Sequence, residues 1–224
     1  MRIPLRNKAF LTLLLLLIAA WDASGLDVPA ARLFGTAQGF VWSQHPTFVL
    51  LLHKVPRAVG WIVLLLLAWG AWRPWGFLRT LPAADRWQLL FSVVLALLTV
   101  VTLKRLSLSS CPWDLIEFGG TVQYISHWRW GVTDGGPGHC FPAGHASAGF
   151  AFVAAWFVLR RTQPRLAWRW LLAACCVGCL LGLAQQMRGA HYVSHTLWTA
   201  WICWAVGWAV EVGRWCLQVC GYMQ

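Results

Sequence analysis

WQLLFSVVLALLTVVTL, Trp87 to Leu103, carries no charged residue from one end to the other. A helix crosses the hydrocarbon core of a bilayer with about 20 apolar residues, in a range near 17–25. This stretch sits at the short end of that range. It does not alternate as barrel strands do, and in lipid only helices and closed barrels satisfy the whole backbone. The reading is a membrane-spanning helix. Five other stretches read the same way: about Phe10–Trp21, Ala58–Trp72, Ala146–Leu159, Trp168–Ala184 and Thr196–Val212. The first, the second and the one opening at Ala146 are short and must borrow flanking residues. The expectation is an all-α, polytopic bundle of about six transmembrane helices, one domain over residues 1–224, with a motif core at about 100–200.

Composition agrees. Of 224 residues 59% are hydrophobic and only 11% are charged, against about 25% charged in a soluble domain. The net charge of +11 would suggest nucleic acid in a soluble protein. Here the cations sit mainly in short gaps between apolar runs, so topology explains them and no nucleic-acid partner is expected. Arg2, Arg6 and Lys8, then Arg73, Arg79 and Arg86, then Arg160, Arg161, Arg165 and Arg169, then Arg214 fall on one side of a six-span chain. The positive-inside rule makes that side cytoplasmic. The other side has longer loops and most of the acids: Asp22, Asp27, Asp114, Glu117 and Asp134. Residues 1–25 also have the form of a signal peptide, and cleavage would leave the sidedness unchanged. Between Ala30 and Arg57 the apolar run Phe48–Leu52, flanked by His45 and His53, reads as an interfacial helix or as a connecting loop with some packing.

The outer loops hold three clusters. Lys104-Arg105 leads to Cys111-Pro112-Trp113-Asp114. Phe141-Pro142-Ala143-Gly144-His145-Ala146-Ser147 precedes the fourth span. The run from Gln185 through Arg188, Gly189 and His191 to His195 precedes the sixth. Two histidines thus follow glycine-containing turns near the outer starts of helices, where free N–H groups and the helix dipole suit an anion. Lysine and arginines share that face, so a phosphate fits. One histidine attacks phosphorus, the other protonates the leaving oxygen, and cations with backbone N–H groups hold the equatorial oxygens. Nothing in that chemistry calls for a metal or another cofactor.

The three clusters, in this order and on this side, resemble the type 2 phosphatidic acid phosphatase superfamily, whose pattern is Lys-x6-Arg-Pro, then Pro-Ser-Gly-His, then Ser-Arg-x5-His-x3-Asp. Lys104 and Pro112 match the first motif, with Cys111 where the pattern has Arg. Pro142, Gly144 and His145 match the second, with Ala143 in place of Ser. His191 matches the third, with Ala184, Gln185 and His195 replacing its Ser, Arg and Asp. The resemblance implies that His191 is the nucleophile and that His145 is the general acid that later activates water. Lys104, with backbone help near Gly144, is implied to hold the phosphate. Arg105 and Arg188 are placed to substitute for the absent arginines. His195 shares a helix face with His191 and is expected to accept its hydrogen bond. Asp114 or Glu117 is a further source of negative charge, and Gln185 a supporting residue.

The likeness is nearest to bacterial inner-membrane lipid phosphatases. It implies a multi-pass hydrolase of a phosphate monoester or pyrophosphate on a lipid headgroup, facing the periplasm, with no obligate protein partner evident. Two alternatives stay open: a lipid phosphotransferase using the same phosphohistidine, and a non-catalytic protein that binds lipid or metal. The metal version would use the i, i+4 pair His191 and His195 with His127 and His139. Cys111 and Cys140 lie in outer loops and are candidates for a disulfide. Cys175, Cys176, Cys179 and Cys203 read as small packing residues inside spans, Cys216 and Cys220 have no evident role, and Trp113, Trp128, Trp130 and Trp198 read as an interfacial belt.

Overall fold

Helices form at every one of the six apolar stretches of the chain, which the computed structural model describes over residues 5–221, with side chains from 8 to 219. Arg2 and the side chains of Arg6 and Cys220 lie outside the described residues. In chain order the helices are α1 (Leu5–Ser24), α2 (Asp27–Ala31), α3 (Pro46–Val49), α4 (Val55–Trp72), α5 (Ala83–Leu106), α6 (Ser147–Phe150), α7 (Ala154–Leu159), α8 (Pro164–Met187) and α9 (Val193–Gly221). A two-residue hairpin, Gly35–Thr36 against Gly39–Phe40, lies between α2 and α3. The fold is all-α. Three helical rods, Pro46–Thr80, Ala83–Leu106 and Pro164–Met187, are long and apolar enough to cross a membrane, and Ser147–Leu159 is a shorter apolar one.

The run around Phe48 is not a separate interfacial helix. Leu50–Lys54 forms a π-helical turn that joins α3 to α4, so Pro46–Thr80 is one rod. The β-branched and leucine side chains after His45 continue the helix without a break, and His45 caps its start by accepting from the Phe48 N–H at 3.3 Å. Val55, Val59, Trp61, Ile62, Leu65 and Trp69 of α4 are exposed, as suits a helix facing lipid.

α9 is the hub. It packs against α5, α1, α8 and α7. The core between them holds Leu89, Val93, Ala96 and Val100 of α5, Phe157 and Val158 of α7, and Cys203 and Trp204 of α9. Small residues let the rods approach, since apolar side chains gain little from leaving lipid and close contact must hold the helices together. A Cβ on Gly149 would come within 2.3 Å of the Gly178 backbone, and one on Gly182 within 2.3 Å of Thr196. Cys203 is a buried packing residue, whereas Cys176 and Cys179 are exposed on α8.

The two ends of α5 show how charge is divided. At its start Asp85 pairs with Arg214 and Arg161, and Glu211 takes Arg160 and Arg161 at 2.7 and 3.1 Å. At its far end, about 36 Å away for a 24-residue helix, Lys104 leads into the loop that connects α5 to α6. α1 lies along α9: Trp201 Nε1 donates to the Leu11 carbonyl at 3.1 Å. Asp22, at its end, accepts from Trp128 and Trp198 at 2.9 Å each. Those two indoles are therefore tied to the first helix rather than serving as free belt residues, while Trp130 is well exposed.

Candidate active site

The loops at the far end of α5 surround a cavity of about 1020 Å³. Lys104, Gly144, His145, Gln185, Arg188 and His191 all line it, together with Asp114 and Cys111. The three sequence clusters, spread over almost ninety residues, thus converge on one space.

Each cationic or imidazole group is held by something specific. Lys104 ends α5, and Gly144 makes room for it: a Cβ there would come 3.2 Å from Lys104 Cδ. Arg188 follows the last turn of α8. Its Nε and Nη2 donate to the Ser43 carbonyl at 3.2 and 3.1 Å, its Nη1 donates to Gln185 Oε1 at 2.9 Å, and its guanidinium sits 5.9 Å from the Trp113 ring. Gln185 occupies the motif's arginine position, so the arginine has moved one helical turn along and its old position now holds it. Trp113 supports a cation here.

His191 stands in the short turn between α8 and α9. Gly189, at φ +72°, makes that turn, and a Cβ on it would strike Phe40 at 2.3 Å. His191 is buried, and burial, reinforced by the charge of Lys104, pushes its imidazole well below the ordinary histidine range. It is therefore neutral with a lone pair available, the state a nucleophile needs. Its Nδ1 lies 3.7 Å from Cys140 Sγ. His145 precedes α6 and is pushed down to about 4, first by burial and then by His53, Arg188 and Arg57. Its ring stacks on the His53 ring at 4.4 Å and 9°. Its Nε2 is buried without a partner and is the atom left for a ligand.

Three expected roles change. His195 does not accept from His191. It is 1% exposed, its Nδ1 donates to the Cys140 carbonyl at 3.1 Å, and its carbonyl accepts from Ala143 N–H at 3.2 Å. Its ring packs edge-on against His127, Phe141 and Tyr192. The residue at the motif's aspartate position thus staples the His145 loop to α9. A neutral ring surrounded by aromatic faces has nothing to gain from reaching a second neutral ring. Arg105 is exposed and does not line the cavity; one residue past Lys104 means about 100° around the helix. Glu117 pairs with Arg32 on the loop surface. Asp114 does line the cavity, but its Oδ2 accepts from the Cys111 N–H at 3.0 Å, and burial raises its carboxyl above the usual range.

Cys111 and Cys140 are disulfide-bonded. The bond ties the first motif's loop to the second's, in the position where the motif has an arginine. The three groups nearest to a metal-ligand arrangement among the described residues are Cys111, Cys140 and His191, and the two sulfurs, bonded to each other, offer no thiolate.

Three lining residues have no site role legible in the sequence motifs: His53, Arg57 and Trp113 as a cation support. His139, expected only as part of a metal set, also lines the cavity, and its Nδ1 lies 3.3 Å from the Lys104 carbonyl. Arg57 carried a signal. It is a charge beside a long apolar run, and an ionisable group in such a place marks a site by default.

The PAP2 superfamily model matches residues 85–216. The chain belongs to the PAP2 superfamily. A search of curated proteins and one of solved structures found no match. Membership makes the chain a phosphatase or related phosphoesterase, and its apolar helices make it a membrane protein. His53 and Arg57 lie before the matched segment.

Proposed function

We propose that this PAP2 superfamily member is a membrane-bound lipid phosphatase, hydrolysing a phosphate monoester or pyrophosphate on a headgroup through a phosphohistidine at the periplasmic face of a bacterial inner membrane. The observation that carries the reading is the two-part wall of one cavity. His145, His191, Lys104 and Arg188 line one part; Trp61 and Leu64 of α4, Leu97, Leu98 and Val101 of α5, and Phe152 form an apolar part beside it. A polar head and an acyl or prenyl chain would each find its own surface. The charge division along α5 and the positive-inside rule favour the periplasmic side.

The chemistry follows from the protonation states. The substrate phosphate settles on Lys104, Arg188 and the backbone at Gly144, and its negative charge favours protonation of His145. Neutral His191 attacks phosphorus through a ring nitrogen. The P–O bond to the lipid breaks, and the departing oxygen takes the His145 proton. A water then attacks phosphorus while His145 takes its proton; the P–N bond breaks, its electron pair returns to His191, and phosphate leaves. No carboxylate is hydrogen-bonded to His191 among the described residues, so the charge on the phosphorylated ring is offset by the phosphoryl group it carries.

Phosphate release from a panel of lipid phosphates by the purified chain in detergent, with EDTA present, tests the reading. His191→Ala and His145→Ala are each expected to abolish release, and acid-labile phosphate on the protein should vanish with His191. Full turnover in either variant would sink the mechanism.

A further inference from the structure

We infer that Arg57 is a phosphate-binding residue of this site, supplying the cation that the first motif lost when Cys111 took the arginine position. The inference rests on the phosphatase reading above. Arg57 lies on the same cavity as Lys104, His145, Arg188 and His191. It comes from α4, outside the segment that the superfamily model matches.

Arg57 is exposed on α4 and, among the described residues, its side chain makes no hydrogen bond or ion pair. The rod Pro46–Thr80 contains no acid at all. Among the described residues no carboxylate stands within ion-pair distance of Arg57, as none does of Arg188, the other guanidinium of the cavity. A guanidinium on an apolar helix costs free energy unless something answers its charge. An anion in the cavity would do so, and a guanidinium fork matches phosphate oxygens two at a time.

The local geometry turns it the right way. His53 and Arg57 are four residues apart and share a face. The π turn at Leu50–Lys54 lies directly before α4, and such turns recur where a helix must re-aim side chains at a site. His53 is the ring stacked on His145, so the face that bears Arg57 is the one that meets the second motif. The Arg57 charge is also felt at His145. Two departures from the superfamily pattern are then answered alike: Arg188 is held one turn from Gln185, and Arg57 enters from another helix to answer Cys111.

Orthovanadate, a phosphate mimic, is the probe. Its binding to the full chain in detergent is read by tryptophan fluorescence, beside kcat and KM for lipid phosphate. Arg57→Gln is expected to weaken vanadate binding and kcat/KM by about ten-fold or more. Arg57→Lys should retain part of both, and Arg105→Gln, which removes a cation outside the cavity, should weaken neither. A merely structural arginine would lower the melting temperature without moving the vanadate affinity of the folded fraction. Wild-type affinity and kcat/KM in Arg57→Gln would overturn the inference while leaving the phosphatase reading intact. No vanadate binding and no phosphate release by the wild type would instead overturn the phosphatase reading, and the inference with it.

Discussion

Replacing Gln185 with leucine should separate activity from stability. Gln185 is 2% exposed. Its Oε1 accepts from Arg188 Nη1, while its Nε2 is buried with no partner. A hydrogen bond to a charged group is worth about 1.5–3 kcal/mol, and a buried unsatisfied polar atom costs about 1–3 kcal/mol. Leucine removes both at once, so the two effects largely cancel in folding and the melting temperature should move little. Catalysis has no such offset. Arg188 keeps its two bonds to the Ser43 carbonyl but loses the third point that fixes the plane of its guanidinium. If the lost bond is felt in the transition state, about 1.5–3 kcal/mol corresponds to a fall in kcat/KM of roughly ten- to 150-fold. The assay is phosphate release from a detergent-solubilised lipid phosphate, with a thermal melt on the same preparation. An unchanged kcat/KM would refute the role given to Arg188, and a large drop in melting temperature would refute the cancellation.

Burial holds His145 neutral, and the sign of the pH effect follows. An unfolded histidine takes its proton below about 6.5, the folded one only near 4, so the unfolded state binds more protons between those values and stability should fall as pH drops through that window. In ¹⁵N-labelled protein the His145 ring resonances should stay those of the neutral form from pH 8 to 5 and shift toward the charged form when vanadate is added. Reduction, or Cys140→Ala, releases a link across 29 residues and should cost about 2–4 kcal/mol by chemical denaturation; activity should fall with it, since the freed loop carries His145. Asp27→Asn weakens a buried acceptor of Ser194 N–H at 3.0 Å, of the Ser194 hydroxyl and of Trp21 Nε1 at 2.9 Å. It should lower stability by about 1–3 kcal/mol, and an unchanged melt would show that Asp27 does not hold the start of α9.

Local pattern made the helices legible: Trp87–Leu103 reads as a rod from its composition alone, and α5 covers it. The triad of Lys104, His145 and His191 was legible because each sits in a short motif next to a helix end. The residues that sequence missed or misplaced depend on direction, which spacing does not encode. Arg105 and Lys104 are neighbours in the chain but point about 100° apart. His195 has the right spacing for His191, yet the Cys140 carbonyl and three aromatic rings claim it first. The π turn hid the continuity of α3 with α4, so His53 and Arg57 seemed to belong to a surface segment.

Asp27 has a consequence for assembly. It reaches across 167 residues to Ser194, three positions after His191, so the turn after α1 is the clasp for the turn before α9. A ribosome delivers Asp27 long before its partner. Until α9 is made, the turn that holds His191 has no clasp. A chain stalled before α9 would therefore carry Lys104, Arg57 and Arg188 but not an ordered His191.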